Sequence, residues 1–178
     1  SFIGFFGASV SGGVVSSLIQ TVNTAGAPTD AASFPTIKIY SSTASMPNGT
    51  NTASYVEEKN ITGATIATPV VITCVDHGLL TGMQIKVENV LDSTLGTAVN
   101  GNRTVTKITA DTFSLNSTVG SGTYTANSGK WHRLGLYKWQ HTLNVGDGYT
   151  AGNSYIVIAD ATIGSDVVTG NDMFQYVG

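Results

Sequence analysis

This sequence is short of charge, of cysteine and of proline, and it contains no long apolar run. Charged residues make up 11% of the 178 residues, under half the globular norm of about 25%. Binding nucleic acid through its phosphates needs clustered lysine and arginine. With eight such residues and a formal net charge of −3, the chain is read as having no nucleic-acid partner. The single cysteine, Cys74, excludes an internal disulfide framework and any multi-cysteine zinc site. No stretch approaches the ~20 apolar residues of a membrane helix, so no membrane partner is expected. The opening Ser1–Val10 is apolar but short, carries no Lys or Arg and lacks the layout of a signal peptide. A trimmed initiator methionine would account for the serine at position 1.

What the chain does have is serine, threonine, asparagine and 21 glycines, beside a hydrophobic content of 41%. Threonine and glycine favour strands and tight turns over helices. No window places apolar residues at i, i+3, i+4 and i+7, so no helix beyond single turns is expected. Thr36–Tyr40 (TIKIY) alternates, with Ile37 and Ile39 on one face. Gln84–Val90 alternates too, with Ile85 and Val87 inward and Gln84, Lys86 and Glu88 outward. Val70–Val75 and Tyr155–Ala159 are continuous apolar runs of strand length, expected to be buried on both faces. Turn signals fall between them at Pro47-Asn48-Gly49, Asn100-Gly101, Ala110-Asp111, Ser128-Gly129 and Asp147-Gly148. Many short strands at this spacing predict an all-β sandwich or barrel.

The motifs of catalysis are absent. Around Ser9 the pattern Gly7-Ala8-Ser9-Val10-Ser11 has serine where a nucleophile elbow needs its second glycine. Gly129-Lys130 has Tyr124 where a phosphate loop needs its first glycine. His77, His132 and His141 lie at no metal-ligand spacing from one another or from Cys74. Asp160, Asp166 and Asp172 are too widely spaced for a calcium loop. The chain is therefore expected to have no catalytic, cofactor-binding or metal-binding residues. His141 continues the face of Tyr137 and Trp139 and is expected to cap an aromatic cluster, and His77 to make a side-chain contact within its turn. Tyr124 and Trp131 could stack on a sugar ring, although aromatics on strand-like segments more often sit in a core.

From Pro69 to Trp131 the chain runs through a strand, His77-Gly78-Leu79 with Thr81-Gly82, and a second strand. Ala98-Val99-Asn100-Gly101, Asp111-Thr112-Phe113, Gly122-Thr123-Tyr124 and Gly129-Lys130-Trp131 follow. This order resembles a small β-domain of phage tail and head proteins. That domain carries the label of the first catalytic cysteine half-domain of ubiquitin-activating enzyme, a label for a shared fold that transfers no chemistry. The flanks are similar to immunoglobulin-like domains of phage virion proteins: Gly26-Ala27-Pro28, Pro35 to Tyr40, Gly135-Leu136-Tyr137, and Gly148-Tyr149-Thr150-Ala151-Gly152 before Tyr155. The resemblance implies an immunoglobulin-like sandwich at 13–62 and 132–178, interrupted by a small β-barrel-like domain at 63–131. Residues 1–12 are left as an N-terminal arm.

On that arm Phe2, Ile3, Phe5 and Phe6 are interleaved with glycine and are expected to dock onto their own sandwich, a sister subunit or another virion protein, with an intermolecular partner slightly favoured, because aromatics left in water are unfavourable. The resemblance implies a bacteriophage virion protein, with capsid decoration (cement) on the outside of the head the first expectation. Its partners would be the major capsid protein or other virion proteins, and copies of itself as a trimer. The alternative is a neck or tail fibre protein binding host-surface glycan.

Overall fold

Alternation of apolar and polar side chains places the strands in the computed structural model, which describes residues 1–42 and 47–177. In chain order the first strands are β1 (Phe2–Phe5), β2 (Ser9–Ser11), β3 (Val14–Val22), β4 (Thr36–Ser41), β5 (Gly49–Thr52) and β6 (Ser54–Tyr55). Then come β7 (Glu58–Asn60), β8 (Gly63–Ala64), β9 (Val71–Thr73), β10 (Gln84–Glu88), helix α1 (Ser93–Val99), β11 (Gly101–Lys107), β12 (Thr112–Leu115) and β13 (Lys130–Arg133). The chain ends on β14 (Leu136–Thr142), a 3₁₀ turn at Val145–Asp147, β15 (Ser154–Ile163) and β16 (Asp166–Gln175). The fold is all-β.

Two compact units form, Ser1–Val56 with Gly135–Gly178, and Glu57–Leu134. In the first, β1 and β2 pair one edge of β3 in succession, β14 pairs the other edge, and β6 follows β14. A second sheet runs β16-β15-β4-β5. Ile19 and Tyr137 from the first sheet and Ile37, Ile39, Tyr155 and Val157 from the second share one buried cluster, so the unit is a two-sheet sandwich. The second unit is a single antiparallel sheet in the order β7-β13-β10-β11-β12-β9-β8. It holds its own core of Ile72, Ile85, Val87, Phe113, Leu115 and Trp131. This unit extends beyond the expected 63–131 because β7 pairs β13 and the Leu134 amide donates to the Gln84 carbonyl.

Three expectations are corrected. The N-terminal arm is a strand. Phe2–Phe5 lies antiparallel on Phe2↔Val22 through Phe5↔Ile19, and Ser9–Ser11 pairs further along β3. Pairing satisfies the backbone groups, and parity sorts the side chains: Ile3 is 7% exposed and sits in the core with Phe5 packed against it. The continuous apolar runs bury one face rather than both. Val70, Ile72 and Cys74 face in while Val75 is 68% exposed, and Tyr155, Val157 and Ala159 face in while Ile156 is 36% exposed. Valine and isoleucine are tolerated outward on a sheet because they fit its pleated surface.

The third correction is α1, which exceeds a single turn. Seven residues are too few for a period to show, and end caps hold it instead. Asp92 Oδ1 accepts from the amides of Thr94 (3.0 Å) and Leu95 (2.7 Å), so these hydrogen bonds keep its carboxyl below the usual range. Arg103 donates to the carbonyls of Ala98 and Val99 at the other end.

Candidate functional site

The outward face of the first sheet of unit one carries the candidate site. Along β3 the odd residues Val15, Ser17 and Ile19 are buried, which turns Ser16 and Leu18 outward. Along β14, Tyr137 and Trp139 face the core, which turns Lys138 and Gln140 outward. Strand pairing then sets these side chains in two cross-strand rows. One row runs Phe6, Leu18, Lys138, Ser54: the Phe6 amide donates to the Leu18 carbonyl at 3.0 Å, Leu18 is opposite Lys138, and Lys138 is opposite Ser54. The other runs Ser9, Ser16, Gln140. Neighbouring strands lie about 4.8 Å apart, so each row spans three or four strands at that spacing.

These rows line a groove of about 640 Å³, with Thr52 beside Ser54. Its lining holds hydroxyls, the Gln140 amide, one cation and no carboxylate among the described residues. Phe6 is 63% exposed at the rim. Phe2, 56% exposed, lies further along the same face, with Gly4 between them and the Phe2 ring 3.5 Å from where a Gly4 methyl would sit. Hydroxyl and amide groups beside an exposed ring can hydrogen-bond and stack on a polar, ring-shaped ligand.

Of the residues singled out in the sequence, Phe2 and Phe6 reach this face, while Ile3 sits in the core with Phe5 packed against it. Trp131 is no stacking platform: it is fully buried and meets Phe113 edge-on at 5.9 Å. Tyr124 packs against the same core, and its hydroxyl donates toward the carbonyls of Ile61 (2.9 Å) and Ser128 (2.8 Å). Both aromatics hold the second unit together.

The histidines have structural surroundings. His77 is fully buried; its Nδ1 accepts from the Leu79 amide at 2.9 Å, leaving Nε2 to donate toward the carbonyls of Thr109 (3.0 Å) and Thr112 (3.3 Å). That pins the His77-Gly78 turn to the β11–β12 turn and uses both ring nitrogens. Cys74 is buried, where a thiol is normally inert. The three aspartates also separate: Asp160 pairs with Lys38 at 2.8 Å, Asp172 accepts from the Ala8 amide at 2.7 Å, and Asp166 accepts from the Ser1 hydroxyl.

His141 meets Tyr149 at 5.5 Å between ring centroids, and Asn51 donates to its Nδ1 at 2.7 Å. Gly49 is required beside them, since a methyl there would lie 2.5 Å from His141 Nε2 and 2.6 Å from the Tyr149 hydroxyl. Burial pushes the His141 pKa below its ordinary 6.5, with Asp147 opposing the shift. The unfolded chain therefore binds more protons than the fold once the pH drops below about 6.5, and stability falls with pH down to the folded-state pKa. Thermal unfolding should show a lower midpoint at pH 5.5 than at 7.5, and His141→Gln should remove part of that difference.

One grouping that sequence spacing could not show comes from three adjacent strands. Donor atoms of Glu58, Glu88 and His132 lie within 4.8 Å of one another. Glu58 is opposite His132 across β7 and β13, and Glu88 reaches His132 diagonally from β10. Each carboxylate already has a lysine at 2.9 Å, Lys130 on Glu58 and Lys86 on Glu88, so the group reads as an alternating charge lattice.

No family model and no curated protein matches the chain. Among solved structures it is similar to Phage phi92 endosialidase, at 17% identity and a TM-score of 0.37, covering 98% of this chain and 28% of that one. It is also similar to ACE19, the collagen binding subdomain of the Enterococcus faecalis surface protein ACE, at 8% identity and a TM-score of 0.25, covering 100% and 97%. This chain thus spans little more than a quarter of the endosialidase. Neither likeness reaches the level of a shared fold, and neither bears on what this chain binds.

Proposed function

We propose that this chain is a non-enzymatic structural module of a bacteriophage virion that binds host-surface glycan through the groove on its first sheet, as a neck or tail fibre module would. The virion setting rests on the sequence resemblance. The glycan reading rests on one observation: a groove whose hydroxyls, Gln140 amide and Lys138 ammonium stand beside Leu18 and Trp139, with the Phe6 ring exposed at its rim. The non-enzymatic reading is supported by His77 and Cys74, whose burial and bonding give them structural roles.

Capsid decoration is the second reading. It keeps one support, the joint exposure of Phe2 and Phe6 on one face, since exposed apolar side chains gathered together often mark an interaction surface. It loses the free arm that would have reached a neighbouring capsid subunit, because Ile3 and Phe5 are held in the sandwich.

The test is a printed panel of bacterial-surface polysaccharides probed with the wild-type chain and with the double variant Ser16→Ala, Gln140→Ala. Both substitutions sit on the outward face and should leave the unfolding midpoint nearly unchanged, as surface changes usually cost under about 0.5 kcal/mol. The wild type should bind one or more polysaccharides and the variant should lose most of that signal. A variant that binds as the wild type does would remove the groove from the account.

A further inference from the structure

Resting on the glycan reading of the groove, we propose that its ligand is an acidic saccharide, with a sugar carboxylate held by Lys138 while a neighbouring ring stacks on Phe6. Lys138 is the one cation in the lining and no acid accompanies it among the described residues. Most other lysines of the chain are held by carboxylates: Lys38 by Asp160, Lys59 by Glu57, Lys86 by Glu88 and Lys130 by Glu58. Lys138 is exposed and has no ion-pair partner among the described residues.

Its place in the row adds a positional argument. Leu18 separates it from Phe6, so the backbone positions of the ring and the ammonium stand two strand spacings apart, about 10 Å. Between and beside them, Ser16, Ser54 and Gln140 offer neutral donors and acceptors suited to sugar hydroxyls. A neutral saccharide could use those groups and the ring but would leave the ammonium without a partner. An acidic one would gain a charge-assisted hydrogen bond, stronger than a neutral one. Net charge −3 over the whole chain opposes anion binding at long range. Selectivity must therefore come from this local contact, and raising the salt concentration should weaken it.

The experiment is a titration of the full isotopically labelled chain, followed by amide chemical shifts, with trigalacturonate and with its methyl ester, which has the same rings without the charge. Trigalacturonate should shift the resonances of Phe6, Leu18 and Lys138. The ester should bind at the same place roughly tenfold more weakly, the size of one hydrogen bond to a charged group. Lys138→Gln should bring the two probes to about equal affinity by weakening trigalacturonate roughly tenfold. Equal binding of both probes in the wild-type groove would overturn the acidic class and leave the glycan reading standing. Absence of groove shifts with either probe would overturn both, as would shifts confined to the second unit.

Discussion

Replacing Trp131 with alanine should cost about 3–5 kcal/mol, the usual loss for removing a fully buried tryptophan. Its side chain sits in the core of the second unit against Phe113, with Ile61, Val87 and Leu115 in the same cluster. Typical domains are stable by only about 5–15 kcal/mol, so this loss takes a large part of the margin. Hydrogen exchange should rise across residues 57–134. Binding through the groove of the first unit should persist wherever that unit stays folded. A Trp131→Ala protein with unchanged stability and lost glycan binding would restore Trp131 as a stacking residue and displace the groove.

The second large effect concerns the N-terminal strand. Ile3→Ala should destabilise the first unit by about 2–5 kcal/mol, because Ile3 is 7% exposed within the sandwich core. Deleting Ser1–Val10 should cost more, since it also removes the pairing of Phe2–Phe5 with β3 and the Ala8 amide bond to Asp172. Phe6→Ser, on the outward face, should change stability by no more than about 0.5 kcal/mol. Chemical denaturation of the three proteins checks the order. If the deletion unfolds at the wild-type denaturant concentration, β1 is a detachable arm and decoration regains its main support.

The same residues show what could be read from sequence. Ile37 with Ile39, and Ile85 with Val87, face inward as their alternation implied, because a half-buried strand writes its period directly into the chain. Phe2-Ile3-Gly4-Phe5-Phe6 carried the same information. Ile3 and Phe5 share a parity opposite to Phe2 and Phe6, yet the glycine and the terminal position drew attention to stickiness rather than to period. Val70–Val75 misled for a different reason: β-branched residues are at home on either face of a sheet, so an apolar run does not state how many faces are covered. Asp92, placed to cap α1, was the one available sign of that helix.

The groove was not legible at all. Its hydroxyls come from serine and threonine, the commonest polar types of this chain, and Ser16 meets Gln140 only because β3 pairs β14, strands that lie far apart in sequence. Tyr124 and Trp131 were expected in a core more than on a sugar because they lie on strand-like segments, and Trp131 is buried there with Tyr124 packed against it.

On the proposed reading, the groove of the first unit holds the chain to host-surface glycan. Co-sedimentation of the labelled chain with host cells and, in parallel, with undecorated phage heads tests it most directly. The chain should pellet with cells, free polysaccharide from those cells should release it, and Ser16→Ala with Gln140→Ala should abolish pelleting. Pelleting with heads alone, lost on Phe2→Ser and indifferent to the groove substitutions, would contradict it and establish the decoration reading instead.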